Sequence, residues 1–151
     1  MKPRYVQHGK CGADTIVCGQ SAWHDATVAD ARVRVWVVDD QASFRLATAE
    51  TVAAADDFVM ADEYQTGEAA IRFIPDDTAG IVLMDIHMPG IGGIEATRRI
   101  RAARPDLMVL LMSTYEVEDL PSGAADCGAA AYLCKEHLSP DLLTRLWRTA
   151  H

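Results

Sequence analysis

Ile81-Val82-Leu83-Met84-Asp85-Ile86-His87-Met88-Pro89-Gly90 is the stretch whose reading decides the fold. The four residues before the acid are uniformly apolar, with no polar alternation. That is the pattern of a strand covered on both faces inside a parallel sheet. The strand therefore carries one carboxylate, Asp85, to its open end. Pro89-Gly90 and Gly92-Gly93 break the strand and allow the chain to turn back sharply before a helix expected from near Ile94. An acid in this place is also what an ordinary cap or turn requires, so position alone does not give Asp85 a function.

Working outward, Val33–Val38 is a second apolar, β-branched run, followed at once by Asp39-Asp40. Phe44, Ala47, Thr48, Thr51, Val52 and Ala55 then fall at the spacing of one helix face. Residues 58–62 form a shorter strand. Thr66-Gly67 open a second helix carrying Ala70, Ile71 and Ile74, and Pro75 ends it. After the strand that ends in Asp85, a third helix has Ala96, Ile100 and Ala103 on one side, with Arg98, Arg99 and Arg101 interspersed, and Pro105 closes it. Residues 107–112 are a further apolar strand ending at Ser113-Thr114. Pro121, Ser122 and Gly123 weaken any helix in residues 116–127, so the fourth helix is expected to be short and to start near Leu120. Residues 129–134 form the fifth strand, ending at Lys135. Ser139-Pro140 supplies an N-cap and a first-turn proline for a last helix with Leu142, Leu143, Leu146 and Trp147 on its apolar stripe. Five strands alternating with five helices predict an α/β fold, a doubly wound five-stranded parallel sheet in the order 2-1-3-4-5.

A chain of 151 residues, half of them hydrophobic, can bury a core without staples. With 14 basic and 22 acidic residues the net charge is −8, which repels nucleic-acid phosphates, so no direct DNA binding is expected. No stretch is apolar and long enough to span a membrane, and the first ten residues lack the apolar block of a secretory signal; a cytoplasmic location is expected. Four cysteines fit that compartment as thiols. Cys127 and Cys134 read as small core residues, and His137 and His151 as exposed. Residues 1–32 show no sustained period and are expected to be a poorly ordered extension, leaving 33–151 as the folded domain. His8, Cys11, Cys18 and His24 lie in that extension, but their spacing matches no standard zinc module. A bacterial initiator codon can encode Val28, in which case residues 1–27 are absent from the native protein. Intact mass decides this.

The polar residues of interest each follow a strand: Asp39 and Asp40 the first, Asp85 the third, Ser113 and Thr114 the fourth, Lys135 the fifth. Open parallel sheets bind ligands beyond the carboxyl ends of their strands, where strand order reverses. In the predicted order that crevice lies between the first and third strands, which bring the three acids. Three carboxylates and one ammonium leave a local charge that a divalent ion cancels, and an all-oxygen donor set points to Mg²⁺.

Asp39-Asp40, the run from Asp85 through Gly93, Ser113, Tyr132 and Lys135 resemble the receiver domain of bacterial two-component response regulators, a flavodoxin-like fold. The resemblance runs from about Val33 to the end of the chain. Gln41-Ala42-Ser43-Phe44-Arg45 and Gly128-Ala129-Ala130-Ala131-Tyr132-Leu133 look most like the subgroup that usually carries a helix-turn-helix DNA-binding domain behind the receiver. The resemblance implies that Asp85 accepts a phosphoryl group from the phosphohistidine of a sensor histidine kinase. It further implies that Mg²⁺ is held by Asp39 or Asp40, or both, by Asp85 and by the backbone carbonyl of His87. Lys135 and the Ser113 hydroxyl would contact the phosphoryl group, and Tyr132 would move between outward and inward positions with the Ser113 loop. Thr114, Tyr115 and the His87 side chain would set the lifetime of the phosphorylated form. Relatives often have proline where Glu136 stands, so the Lys135-Glu136 peptide is either strained or trans.

The reading with most support is a receiver acting without an attached effector, switched by phosphorylation of Asp85 and acting on a separate downstream protein, with a second copy of the chain as a candidate partner. It is not an enzyme beyond its own phosphoryl transfer and dephosphorylation. One alternative is a degenerate receiver that binds its partner without phosphorylation. Another is an aspartyl-phosphate phosphatase of the haloacid-dehalogenase type, which needs a second acid two places after its nucleophile. His87 and Ala42 stand at those places here. A DNA-binding regulator would need a helix-turn-helix or a basic face.

Overall fold

The computed structural model of the protein describes residues 31–76, 79–114 and 120–151. The expectations for residues 1–30, His8, Cys11, Cys18 and His24 among them, lie outside the described residues. So does Tyr115.

Strands form at Val33–Val38 (β1), Phe58–Tyr64 (β2), Gly80–Asp85 (β3), Leu107–Ser113 (β4) and Ala131–Cys134 (β5). All pair in parallel, in the order β2-β1-β3-β4-β5. Helices span Ala42–Ala53 (α1), Gly67–Phe73 (α2), Gly92–Ala103 (α3) and Pro140–Ala150 (α4). Alternation of side chains divides each strand between two layers. Val35, Val37, Ile81, Leu83, Leu110 and Met112 pack with Val52 of α1 and with Leu143 and Trp147 of α4. Trp36, Val38, Val82, Met84, Val109 and Leu111 pack with Ala70 of α2 and with Ala96 and Ile100 of α3. Strand β3 is buried along its whole length, as its unbroken apolar run predicted. Each of its large side chains contributes about 1.5–3 kcal/mol relative to exposure.

The helix starts follow their capping residues. Thr66 Oγ1 accepts from the Ala69 N–H at 3.1 Å, and Ser139 Oγ accepts from the Leu142 N–H at 3.1 Å with Pro140 in the first turn. Four α-helices occur among the described residues, rather than the five expected. Residues 120–127 carry only a 3₁₀ turn at Ala124–Asp126, entered through Gly123 at φ 94°. A proline and a left-handed glycine two residues apart, Pro121 and Gly123, do not sustain an α-helix there.

Smaller differences have equally local causes. Helix α3 begins at Gly92, two residues before the expected Ile94, because the Gly93 N–H turns back to the Ile86 carbonyl at 3.0 Å. Strand β2 runs two residues past its predicted end, and β5 starts two residues later. Ala47, Ile71 and Ala103 sit on predicted core stripes but are exposed, since each helix touches the sheet along a narrower line than its apolar spacing suggests. His151 is not simply exposed: its ring stacks on Trp147 at 3.7 Å between centroids. Cys127 is buried, Cys134 is half-buried, and both are free thiols. No helix among the described residues is long and apolar enough to cross a membrane.

Candidate functional site

The alternation that builds the core also builds the site. Asp39 continues the row of Val35 and Val37, Asp85 that of Ile81 and Leu83, and Lys135 that of Ala131 and Leu133. All three rows face the layer formed by α1 and α4. At the carboxyl ends of the strands the rows stop being apolar, and three charged groups meet. Lys135 Nζ lies 2.8 Å from Asp39 Oδ2 and 3.4 Å from Asp85 Oδ1, with all three side chains almost wholly buried. Asp40 falls on the opposite row and is exposed, yet carboxylate oxygens of Asp39, Asp40 and Asp85 lie within 4.8 Å of one another.

Burial, followed by the charge of Asp39, pushes Asp85 up to about 6, while Lys135 and the backbone N–H of His87 pull it back. Asp39 is fixed on one side: its Oδ1 accepts the Gln41 N–H at 2.9 Å. Its Oδ2 is buried and lies 2.8 Å from the Lys135 ammonium, its ion-pair partner. Three carboxylates within reach of one another, with no nitrogen or sulfur among the candidate donors, fit a hard divalent cation such as Mg²⁺.

The remaining predicted residues are distributed as follows. His87 directs its amide at the Asp85 carboxylate, and its side chain is exposed. Ser113 is buried at the end of β4, one residue beyond Met112, the register partner of Asp85, and pairs with Cys134 beside Lys135. Thr114 is exposed. Tyr132 stands apart from the acids, on the α2–α3 side of the sheet. Its hydroxyl donates to the Ala124 carbonyl at 2.6 Å, and burial raises its pKa. The Lys135-Glu136 peptide is trans, like every described peptide bond.

Three residues beyond those predicted shape the site. Arg45 donates from Nη1 to the Asp39 carbonyl and from Nε to Glu63, both at 2.7 Å, tying the acid-bearing loop to β2. Glu68 accepts the Ile91 N–H at 3.2 Å and braces the turn after Asp85. Phe44 lays its ring against Lys135, with Nζ 3.9 Å from the centroid. Phe44 was legible only as a member of a helix stripe, because nothing in its spacing distinguishes a ring that faces a cation from one that faces the core.

Comparison with known proteins matches this geometry to one family. The sequence model of the response regulator receiver domain fits residues 35–147. Response regulator GacA of Pseudomonas viridiflava is 34% identical over 103 residues, 68% of this chain and 48% of the relative. Response regulator UvrY of Escherichia coli K12 is 32% identical over 103 residues, 68% of this chain and 47% of the relative. The chain thus spans about half the length of the curated relatives it matches. Among solved structures, the signal receiver domain of NarL from Mycobacterium tuberculosis superposes with a TM-score of 0.67 at 27% identity, covering 79% of this chain and 96% of that one. The response regulator domain of Thermotoga maritima CheB gives 0.62 at 30% identity, covering 78% and 95%. With five parallel strands in the flavodoxin-like order and a family match over most of its length, the chain belongs to the response regulator receiver domains of two-component systems.

Proposed function

We propose that Asp85 is the phosphoryl acceptor of a phosphorelay, taking the group from the phosphohistidine of a sensor histidine kinase. The observation that carries this is the buried cluster of Asp85, Asp39 and Lys135, with Asp40 at its rim, at the strand ends where the order of the sheet reverses. Asp85 attacks phosphorus through a carboxylate oxygen as the phosphorus–nitrogen bond breaks, and the imidazole leaves with the bonding pair. A carboxylate is a weak nucleophile, so the transferring group has to be positioned and its charge met. Lys135 provides a fixed ammonium within contact of Asp85. Asp39, Asp40, Asp85 and the His87 carbonyl would hold Mg²⁺, which supplies charge neutralisation at the phosphoryl oxygens.

Phosphorylation takes Asp85 from one negative charge to roughly two, which favours a donor hydroxyl drawing near. In this reading the hydroxyl is that of Ser113, the buried last residue of β4. Tyr132, now held by the Ala124 carbonyl, is the side chain that reports it to the surface formed around the Ala124–Asp126 turn. The downstream partner is a protein that reads this surface in the cytoplasm. The folded unit is residues 33–151 and the extension before it is dispensable for phosphorylation.

The deciding experiment is incubation with acetyl phosphate and Mg²⁺, or with beryllofluoride, of the native protein and of Asp85→Asn. The native protein gains one acid-stable, base-labile phosphoryl group and binds beryllofluoride, while the variant does neither. Equal phosphate uptake by both proteins would remove Asp85 as acceptor.

A further inference from the structure

We propose that Phe44 is a positioning residue for Lys135, whose ring face holds the ammonium within reach of Asp85. The inference rests on the phosphoryl-acceptor reading above. Phe44 is half-buried, yet among the described residues it belongs to neither hydrophobic cluster. Its ring is instead committed to a cation, with Lys135 Nζ 3.9 Å from the centroid. Two carboxylates and one π face thus surround an ammonium whose side chain is 5% exposed.

Such a contact matters because of what the other two partners do. The ammonium stands closer to Asp39, at 2.8 Å, than to Asp85, at 3.4 Å. Lysine has a long flexible stem, so carboxylates alone would let its head follow whichever acid is more negative. A ring attracts the ammonium through its quadrupole while leaving the positive charge undiminished. It does not titrate, and it stays in place when the acids are engaged elsewhere. The backbone sets the ring firmly: the N–H groups of Phe44 and Arg45 both donate to the Gln41 carbonyl at 3.1 Å, and Arg45 grips the Asp39 carbonyl.

The test is a double-mutant cycle on the full chain, using Phe44→Leu, Lys135→Gln and the pair, with acetyl phosphate and Mg²⁺ as probes. Phe44→Leu should slow the limiting rate of phosphate uptake about tenfold, the effect of losing a desolvated cation–π contact. In the Lys135→Gln background the same substitution should change the rate less than about twofold, because the partner is already gone. Beryllofluoride affinity should follow the same pattern, and Phe44→Tyr, which keeps a π face, should recover most of the rate. Phe44→Met, of similar bulk without a ring, replaces the leucine variant if that fails to fold. Equal losses in both backgrounds, or no loss in the native background, would overturn the role of Phe44 and leave Asp85 as acceptor. A native protein that takes up no phosphate overturns the parent reading, and this inference with it.

Discussion

At the scale of single residues, the site holds its charges at a cost that can be measured. Asp85 titrates near 6 in the folded protein against an ordinary value of 3.8, because burial and the Asp39 charge both oppose its ionisation. Between those values the folded state binds more protons than the unfolded chain, so stability falls as pH rises from about 4 to 6. Allowing for screening at the open mouth of the cluster, the loss is about 1–2 kcal/mol. Asp85→Asn should therefore be more stable than the native protein at pH 7 by that amount, and its denaturation midpoint should lack the decline between pH 4 and 6. A variant less stable than the native protein at pH 7 would show that Asp85 is a structural partner of Lys135 rather than a strained one. The same titration predicts that phosphate uptake from acetyl phosphate decreases as pH falls through 6, since only the carboxylate attacks. Arg45 is the complementary case, a residue that stabilises the site without entering it. Its contact to the Asp39 carbonyl is partly buried and carries most of the effect, while the ion pair with Glu63 is solvent-exposed and adds little. Arg45→Ala should cost about 1–3 kcal/mol in urea denaturation and weaken Mg²⁺ binding measured by calorimetry.

At the scale of elements, the turn from β3 into α3 is where fold and site are the same object. A Cβ added at Gly93 would stand 2.0 Å from the Asp85 carbonyl oxygen, a backbone atom that cannot move without displacing the acceptor itself. Gly93→Ala is predicted to destabilise the protein by about 2–3 kcal/mol and to reduce beryllofluoride binding, an overpacking cost felt at the carboxylate. Ser139→Ala removes only the cap of α4, should cost about 1 kcal/mol, and should leave beryllofluoride binding unchanged. Loss of stability without loss of binding in the glycine variant would show that the turn supports the fold but does not position the Asp85 carboxylate. Elements of this kind were legible in the sequence because their signals are local. The strand ending in Asp85 needed only its unbroken apolar run, and the last helix only Ser139-Pro140 and its four-residue stripe. Residues 120–127 show the limit: the sequence contained both breakers, Pro121 and Gly123, but the shape left after they act, a 3₁₀ turn whose Ala124 carbonyl receives Tyr132, is decided by a strand eight residues away. Phe44 shows it again, since spacing assigns a residue to a helix face and tertiary packing decides what that face meets.

At the scale of the whole molecule, the parallel sheet gathers acids that are separated widely along the chain, and the unfolded chain has no means of doing so. Strand order alone brings Asp39, Asp40 and Asp85 within 4.8 Å, with Lys135 delivered from the far end of the sequence. The repulsion among those carboxylates is one contribution to instability that only the folded state bears, so a cation that relieves it must bind the folded state selectively. Mg²⁺ at one hundred times its dissociation constant should then stabilise the protein by about 2.7 kcal/mol. For a chain of this size that corresponds to a rise in the unfolding midpoint of about 5–11 °C. NaCl at matched ionic strength should reproduce only a small part of the rise, because screening acts on exposed charges and two of the three acids are buried. Asp39→Asn removes a buried carboxylate of the cluster, and in that variant the Mg²⁺-specific increment should disappear while the response to NaCl remains. Equal midpoints in Mg²⁺ and in matched NaCl for the native protein would mean that the gathered acids are answered by Lys135 alone, and that the cation acts on the surface rather than at the strand ends.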